Sequence, residues 1–250
     1  MNAEFYTPGY SGNAVDFMSK RSLDSHGEFF SAYLAAGVSV LDCGCGPGSI
    51  TFGIAERVYP GRVVGIDLSM SQVARACNMA ASHSIANVTF QPADCYQLPF
   101  ADGSFDRIFS HALLEHLSDP VLALRDFHRV LKPGGVLGVC SPDWNGFILS
   151  PPSPELTRAI TAYATLQNRN GGDTQAGRKL AGHLAVAGFG IIHMSARYEC
   201  YPSLPLIAEY LAVQLERAGD ERSAETFRTW SRNDGMFAQT WVSVVGQRRA

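Results

Sequence analysis

The sequence predicts an α/β fold built on a largely parallel sheet, and three observations carry that prediction. From residue 38 onward, short apolar runs alternate with stretches of helical period, the pattern of strands joined by crossover helices. Glycines at alternate positions, Gly44, Gly46 and Gly48, follow the first run at once. The second run, Arg62–Asp67, closes on a carboxylate, as the first does at Asp42.

Val38–Asp42 reads as the first strand, and the helix after it opens at Ser49. Strand, glycine turn and helix form the start of a nucleotide-binding unit. Glycine accepts positive φ in a tight turn, and its missing Cβ lets a ligand lie against the backbone. The spacing narrows the ligand. A dinucleotide fingerprint has glycines two and then three apart; here both intervals are two. A phosphate cradle of the P-loop kind needs a lysine, which this loop lacks. Asp42 would repel a pyrophosphate and attract an ammonium or sulfonium group. Asp67 ends the second strand, where its two oxygens can accept from both hydroxyls of a ribose.

The remaining elements follow in order. Ser69–Ser82 is a helix with Ser69 at its cap, and Asn87–Gln91 is a third strand leading into the loop that holds Asp94 and Cys95. Ser104–Ser110 is the fourth strand, running into His111–Leu117. Asp119-Pro120 starts a helix, because proline's missing N–H has no helical partner at that position anyway. The helix stops at Lys132-Pro133-Gly134-Gly135, before a fifth strand over Val136–Cys140.

The run Asp42-Cys43-Gly44-Cys45-Gly46-Pro47-Gly48 resembles motif I of the class I S-adenosylmethionine (SAM) methyltransferases. A second run, Arg129-Val130-Leu131-Lys132-Pro133-Gly134-Gly135, resembles the later motif of the same family, especially the branch with the ubiquinone/menaquinone C-methyltransferases. The resemblance is close over residues 38–140. It implies a Rossmann-like seven-stranded sheet of order 3-2-1-4-5-7-6, with strand 7 antiparallel and helices on both faces. It also implies cofactor contacts from Asp42, Gly44, Cys45, Gly46, Gly48, Asp67, Leu68, Gln72, Asp94, Cys95, Ser110 and His111. Asp94 would take the adenine amino group with the Cys95 backbone beside it, and Ser110 and His111 would meet the methionine part through their backbone.

Outside that span the pattern changes. Gly9–Asn13 reads as a turn, Ala14–Arg21 as a short helix, and Ser25–Ala36 as a helix burying Phe29, Phe30 and Leu34. Residues 1–37 are expected to cap the cofactor, and 142–178, rich in aromatics and proline, to form a substrate lid. The lid holds a helix over Glu155–Gln167 and a flexible Asn168–Gly172. Arg178–Ala187 is a helix, Ile191–Tyr198 a sixth strand, Leu206–Arg217 and Glu221–Ser231 two helices, and Phe237–Gly246 the last strand. One domain over 1–250 accommodates all of it.

With 250 residues, 46% of them hydrophobic, a full core is possible. A formal net charge of −3 leaves no basic footprint for nucleic acid. No apolar run reaches the roughly 18 residues of a membrane span, and no signal peptide is read at the N-terminus. The six cysteines show no metal-site spacing and are expected to be reduced, in a cytoplasmic protein without a metal. A monomer or a homodimer fits equally.

The expected activity is therefore transfer of a methyl group from SAM to an oxygen, nitrogen or carbon nucleophile of a small molecule, leaving S-adenosylhomocysteine (SAH). No Asn/Asp-Pro-Pro-Tyr/Phe signature follows the fourth strand, which disfavours nucleic-acid bases and protein amides. His111 and His116 are the candidate bases, with Glu115 between them. Tyr6, Tyr10, Arg21, Trp144 and Tyr163 are substrate-side candidates, the aromatics being able to steady a cation or a flat ring, and Met18 could face the same cleft. The alternatives are a catalytically silent SAM- or SAH-binding regulator and, more remotely, an NAD-dependent oxidoreductase.

Overall fold

A computed structural model describes residues 5–10, 12–201, 204–233 and 235–249. Ser11, in the turn expected over Gly9–Asn13, and the N-terminal Met1–Glu4 lie outside the described residues. Strands β1 (Val40–Cys43), β2 (Val63–Asp67), β3 (Val88–Pro92), β4 (Phe105–His111), β5 (Leu131–Ser150), β6 (Phe189–Cys200) and β7 (Met236–Arg248) form one sheet. Its order is β3-β2-β1-β4-β5-β7-β6. The first five strands of that order form four parallel pairs, and β7 runs antiparallel to both β5 and β6. This is the architecture the sequence implied.

The helices that flank the sheet begin and end where their sequences dictate. α3 (Ser49–Val58) starts directly from Gly48, whose φ is +86°. α5 (Pro120–Val130) has Pro120 in its first turn, and the Asp119 carboxylate accepts from Leu122 N at 3.0 Å. α4 (Met70–Ser82) differs slightly. Ser69 occupies the cap position, yet its hydroxyl pairs with Ser71 Oγ at 2.9 Å and leaves the helix end uncapped.

Apolar side chains bury on both faces of the sheet. Leu41, Ile108, Leu124, Phe127, Leu131 and Leu180 meet on the side of α5 and α7 (Ala176–Val186). Phe30, Val40, Ile54, Val58 and Phe109 meet on the other. A third cluster stands beyond the sheet's carboxyl ends. It joins Trp144, Tyr163, Leu211, Phe227 and Phe237 from α6 (Pro154–Arg169), α8 (Leu204–Arg217), α9 (Glu221–Trp230) and the far ends of β5 and β7.

Three segments depart from the sequence reading. The helix expected over Ser25–Ala36 is broken into a π-helical turn, Leu23–Gly27, and a single turn α2, Glu28–Ser31. Ser22 and Ser25 cap the π turn reciprocally, and the wider turn swings His26 inward. A Cβ on Gly27 would lie 2.7 Å from Leu23 Cδ1, so any larger residue there would push the Leu23 side chain aside. Secondly, β5 runs on to Ser150 because β7 is long enough to pair with it past an irregularity between Asp143 and Ile148. Trp144, at the start of the expected lid, therefore lies on β5. Thirdly, Asn168–Gly172, expected to be flexible, is tied down: Asn170 Nδ2 donates to Thr7 Oγ1 at 3.0 Å, and Phe5 N donates to Asn170 O at 3.1 Å.

Candidate functional site

Strand order reverses between β1 and β4, and in such sheets the crevice for ligands opens beyond the strand ends at that point. The glycine loop forms its floor. Gly44 N and Cys45 N both donate to Ile66 O at 2.9 Å, folding the loop over β2. Gly44 and Gly46 have φ of +78° and +53°, and a Cβ built on Gly46 would meet no protein atom within 4 Å. Glycine at 46 thus keeps a space open as well as a turn tight. Gly48 differs: a Cβ there would press on Phe52 and Phe90 at 3.0 Å, so it serves helix packing.

The two strand-end acids divide the work. Asp67 grips the loop, with Oδ2 accepting from Gly46 N at 3.0 Å and Oδ1 from Ser69 N at 2.8 Å. Burial pushes its pKa up against these two bonds, which pull it down. Asp42 lies under the loop, accepts Thr51 Oγ1 at 2.6 Å, and is pushed up to about 7 by burial. The loop thiols of Cys43 and Cys45 are held well above their usual range by burial, which keeps them protonated.

A cleft of about 210 Å³ stands on this floor. Asp42, Gly44, Cys45, Gly46, Asp67, Leu68, Gln72, Asp94, Cys95 and His111 all line it. Gly48 and Ser110 do not; Ser110 Oγ is turned inward to Cys43 O at 2.9 Å. Gln72 is 1% exposed, and both polar atoms of its amide lack a partner. A buried amide left that way is costly unless a ligand completes it. Tyr6, Tyr10 and Arg21 close the cleft from the N-terminal segment, with Tyr6 and Tyr10 stacked at 5.2 Å.

Beyond Tyr6, Met18, Arg21, Ala112 and His116, which line both spaces, lies a smaller second chamber. Trp144 and Tyr163 face this chamber rather than the cleft. The two candidate histidines straddle the divide. His116 meets the edge of Tyr6 at 4.7 Å, and burial drives its pKa down to about 3. His111 stacks on Trp241 at 4.7 Å; neither ring nitrogen has a partner, and burial holds it well below the usual range. Both imidazoles are neutral near pH 7 and weakly basic. Glu115 lies beside them, 2% exposed, with Ser141 Oγ donating to its Oε2 at 2.8 Å.

Several residues here gave no sequence signal. Trp241, on the last strand, carries Arg21 over one ring at 5.4 Å and donates from Nε1 to Glu199 at 2.7 Å. Glu199 also takes His26 Nε2 at 3.1 Å, which joins the π turn to the far edge of the sheet. Among the described residues no group of His, Cys, Asp and Glu gathers as for a metal, and no helix is long and apolar enough to cross a membrane.

A family model described as a methyltransferase domain matches residues 34–182. The chain belongs to the class I SAM-dependent methyltransferases. It is 30% identical to an uncharacterized methyltransferase of Schizosaccharomyces pombe over 96% of this chain and 95% of that protein. It is 39% identical to an uncharacterized 37.1 kDa protein from a transposon of Streptomyces fradiae, over 62% of this chain and 44% of that one. The methyltransferase thus spans under half of one relative and nearly all of the other. A structure of a putative methyltransferase from Bacillus halodurans superposes with a TM-score of 0.68 at 15% identity, covering 89% of this chain and 98% of that one; at that identity the likeness concerns the fold. The family's cofactor is SAM. The glycine loop, the acid of β2 and the unpartnered Gln72 amide fit it.

Proposed function

We propose that this methyltransferase moves the methyl group of SAM to an oxygen, nitrogen or carbon nucleophile of a small molecule. The observation that carries the reading is the pairing of Gly46 with Asp67 across an open cradle. In it, Asp67 would hold the ribose hydroxyls. Asp94 and the Cys95 backbone would meet the adenine, with Leu68, 73% exposed, as the cover at the mouth. Gly44, Cys45 and the backbone of Ser110 and His111 would hold the methionine part, and Gln72 would complete its amide on the ligand. Residues 1–37 would cap this unit and the 142–178 segment would roof the acceptor, within one domain.

Bound SAM supplies an already activated methyl group, so the chain's task is to align the acceptor and keep water out. Orientation of that kind contributes about 7–11 kcal/mol to lowering a barrier. A small chamber of about 40 Å³ that shares its rim with the cleft gives an acceptor a place to sit, which favours transfer over a silent binding role. Its walls come from helices and strand ends, and its small size suits a small molecule rather than a polymer.

Calorimetric titration with SAM, SAH and NADH tests the reading, wild type beside Asp67→Ala. SAH should bind and NADH should not. The substitution should cost about 1.5–3 kcal/mol, roughly tenfold or more in affinity, for the lost charge-assisted bonds. A folded wild-type protein, free of copurified ligand, that binds neither SAM nor SAH would overturn it.

A further inference from the structure

The second chamber holds groups that transfer to an unspecified acceptor leaves without a role. Its walls are largely aromatic: Phe17, Trp144, Tyr163, Tyr201, Tyr210 and Trp241. Such walls suit a flat ring. Two of its buried polar side chains offer lone pairs. Gln239 Nε2 donates to the carbonyls of Asp143 at 3.1 Å and Thr240 at 3.2 Å, which fixes the amide's orientation and leaves Oε1 buried with no partner. Glu115 keeps Oε2 on the Ser141 hydroxyl, is also bonded by its own backbone N–H, and has Oε1 3.7 Å from His116 Nε2, beyond hydrogen-bond reach. Arg21, on the rim shared with the cofactor cleft, rests its guanidinium on Phe17 at 5.7 Å and Trp241 at 5.4 Å.

Glu115 is also held with unusual care. Its carbonyl accepts from Asp173 N at 2.8 Å and from Gln167 Nε2 at 3.2 Å. A Cβ on Gly172 would sit 2.5 Å from that same carbonyl, so the loop approaches it this closely only as glycine. Two segments distant from Glu115 in sequence thus hold it in the wall of the second chamber, β5 through the carboxylate and the end of α6 with its following loop through the backbone carbonyl.

We propose that the chamber takes a flat acceptor bearing a weakly acidic hydroxyl, a phenol or an enol, and that Glu115 is the catalytic base that receives its proton. The proposal rests on the neighbouring cleft holding SAM. A hydroxyl supplies a donor for a lone pair that the Glu115 carboxylate still offers beyond its two bonds. An ammonium would supply one too, but the permanent charge of Arg21 on the rim disfavours it and favours the oxyanion that forms. In the step, the acceptor's O–H proton passes to Glu115. The oxygen's electron pair forms the bond to the methyl carbon, and the carbon–sulfur bond breaks with its pair left on sulfur.

The charges facing Glu115 permit this role near neutral pH. Arg21 lowers its pKa, but burial outweighs this and places the group at about 7. His116 on the same turn is neutral. Tyr6 and Tyr163 are held well above their usual range, Tyr210 is raised, and the Cys140 thiol is pushed up to about 12, all chiefly by burial. Glu115 is then the group in this set that changes charge around neutrality, where a general base works best.

The test uses the full chain. SAH binding is measured first, for wild type and Glu115→Gln, and equal affinities show that both are folded and cofactor-competent. Para-nitrophenol, naphthol and a cyclic diketone in its enol form are then titrated into the SAH complex and assayed with methyl-labelled SAM, beside benzylamine. The wild type should bind and methylate a hydroxyl probe, with a rate that rises through about pH 7 and then levels. Glu115→Gln should lose at least about 100-fold in turnover, as removal of a general base does, and lose the pH limb. An SAH complex that binds none of the hydroxyl probes, or methylates benzylamine in their place, overturns the acceptor class. Turnover that survives Glu115→Gln, or a wild-type rate flat across neutrality, overturns the base. Absence of SAH binding by wild type would instead strike at the cofactor reading.

Discussion

Asp42 and Glu115 meet similar local chemistry in two different halves of the molecule. Each is a buried carboxylate that accepts one side-chain hydroxyl, from Thr51 at 2.6 Å and from Ser141 at 2.8 Å. Burial pushes each up to about 7. What differs is where their surroundings come from. Thr51 lies nine positions from Asp42 on the helix that the glycine loop opens into. Glu115 is fixed by Ser141, Gln167 and Asp173 and faces Arg21, from β5, α6, the following loop and the N-terminal segment. The cofactor half is a local device on the sheet, whereas the acceptor half is assembled by long-range closure.

The largest expected effect separates these halves outright. Gly46→Ala places a Cβ in space that the protein leaves empty, so the fold should bear only the cost of a positive φ, about 1–2 kcal/mol. SAH affinity should nevertheless fall by at least about 100-fold, equivalent to about 2.8 kcal/mol, because the Cβ occupies the ligand's approach. Thermal melting and SAH titration together check this. A variant that binds SAH normally would mean that the loop is only a turn, and the contrast between the halves would lose its basis.

That locality decides what the sequence revealed. The sheet order and the floor of the cleft were legible because strand, loop and helix are contiguous, and Asp67 stands at the next strand's end. The grip of Asp67 on Gly46 N was not legible, since it depends on how the loop folds back over β2. The chamber was less legible still. Trp144 and Tyr163 stood out as aromatics, but nothing marked Trp241 or Gln239, which reach the site through the antiparallel pairing of β7 with an overlong β5. The break of the expected helix at Leu23–Gly27 was hidden in part for the same reason: the turn places His26 against Glu199, on a strand 173 positions away.

A smaller effect would sharpen the comparison through pH. For Asp42 the folded pKa is raised, from 3.8 to about 7, so the folded state binds the proton more tightly than the unfolded chain. Stability from this group is therefore present at low pH and is lost as pH rises through the window from about 4 to about 7, at up to about 1.4 kcal/mol per unit. Asp42→Asn keeps an acceptor for Thr51 without the charge. Its melting temperature should gain on wild type as pH rises through that window and stay level above it. Glu115→Gln should show the same trend with its own window. SAH should distinguish them, restoring wild-type stability above pH 7 relative to Asp42→Asn, because the α-ammonium of the bound ligand favours the ionised Asp42. Parallel behaviour of both variants with SAH bound would remove the distinction.

Gln72 offers the finest test. Its amide is buried against the cleft with neither polar atom satisfied, and an unmade hydrogen bond of this kind costs roughly 1–3 kcal/mol. Gln72→Leu has similar volume and removes that cost, so the ligand-free protein should gain about 1 kcal/mol of stability in denaturant unfolding. SAH affinity should fall about fivefold, by the same 1 kcal/mol that a neutral hydrogen bond contributes. Opposite signs in the two measurements would mean that the cofactor half carries an unfilled bond for its ligand, as Gln239 does for the acceptor in the other half. Equal signs would make Gln72 an ordinary packing residue, and the likeness between the two orphaned amides would end there.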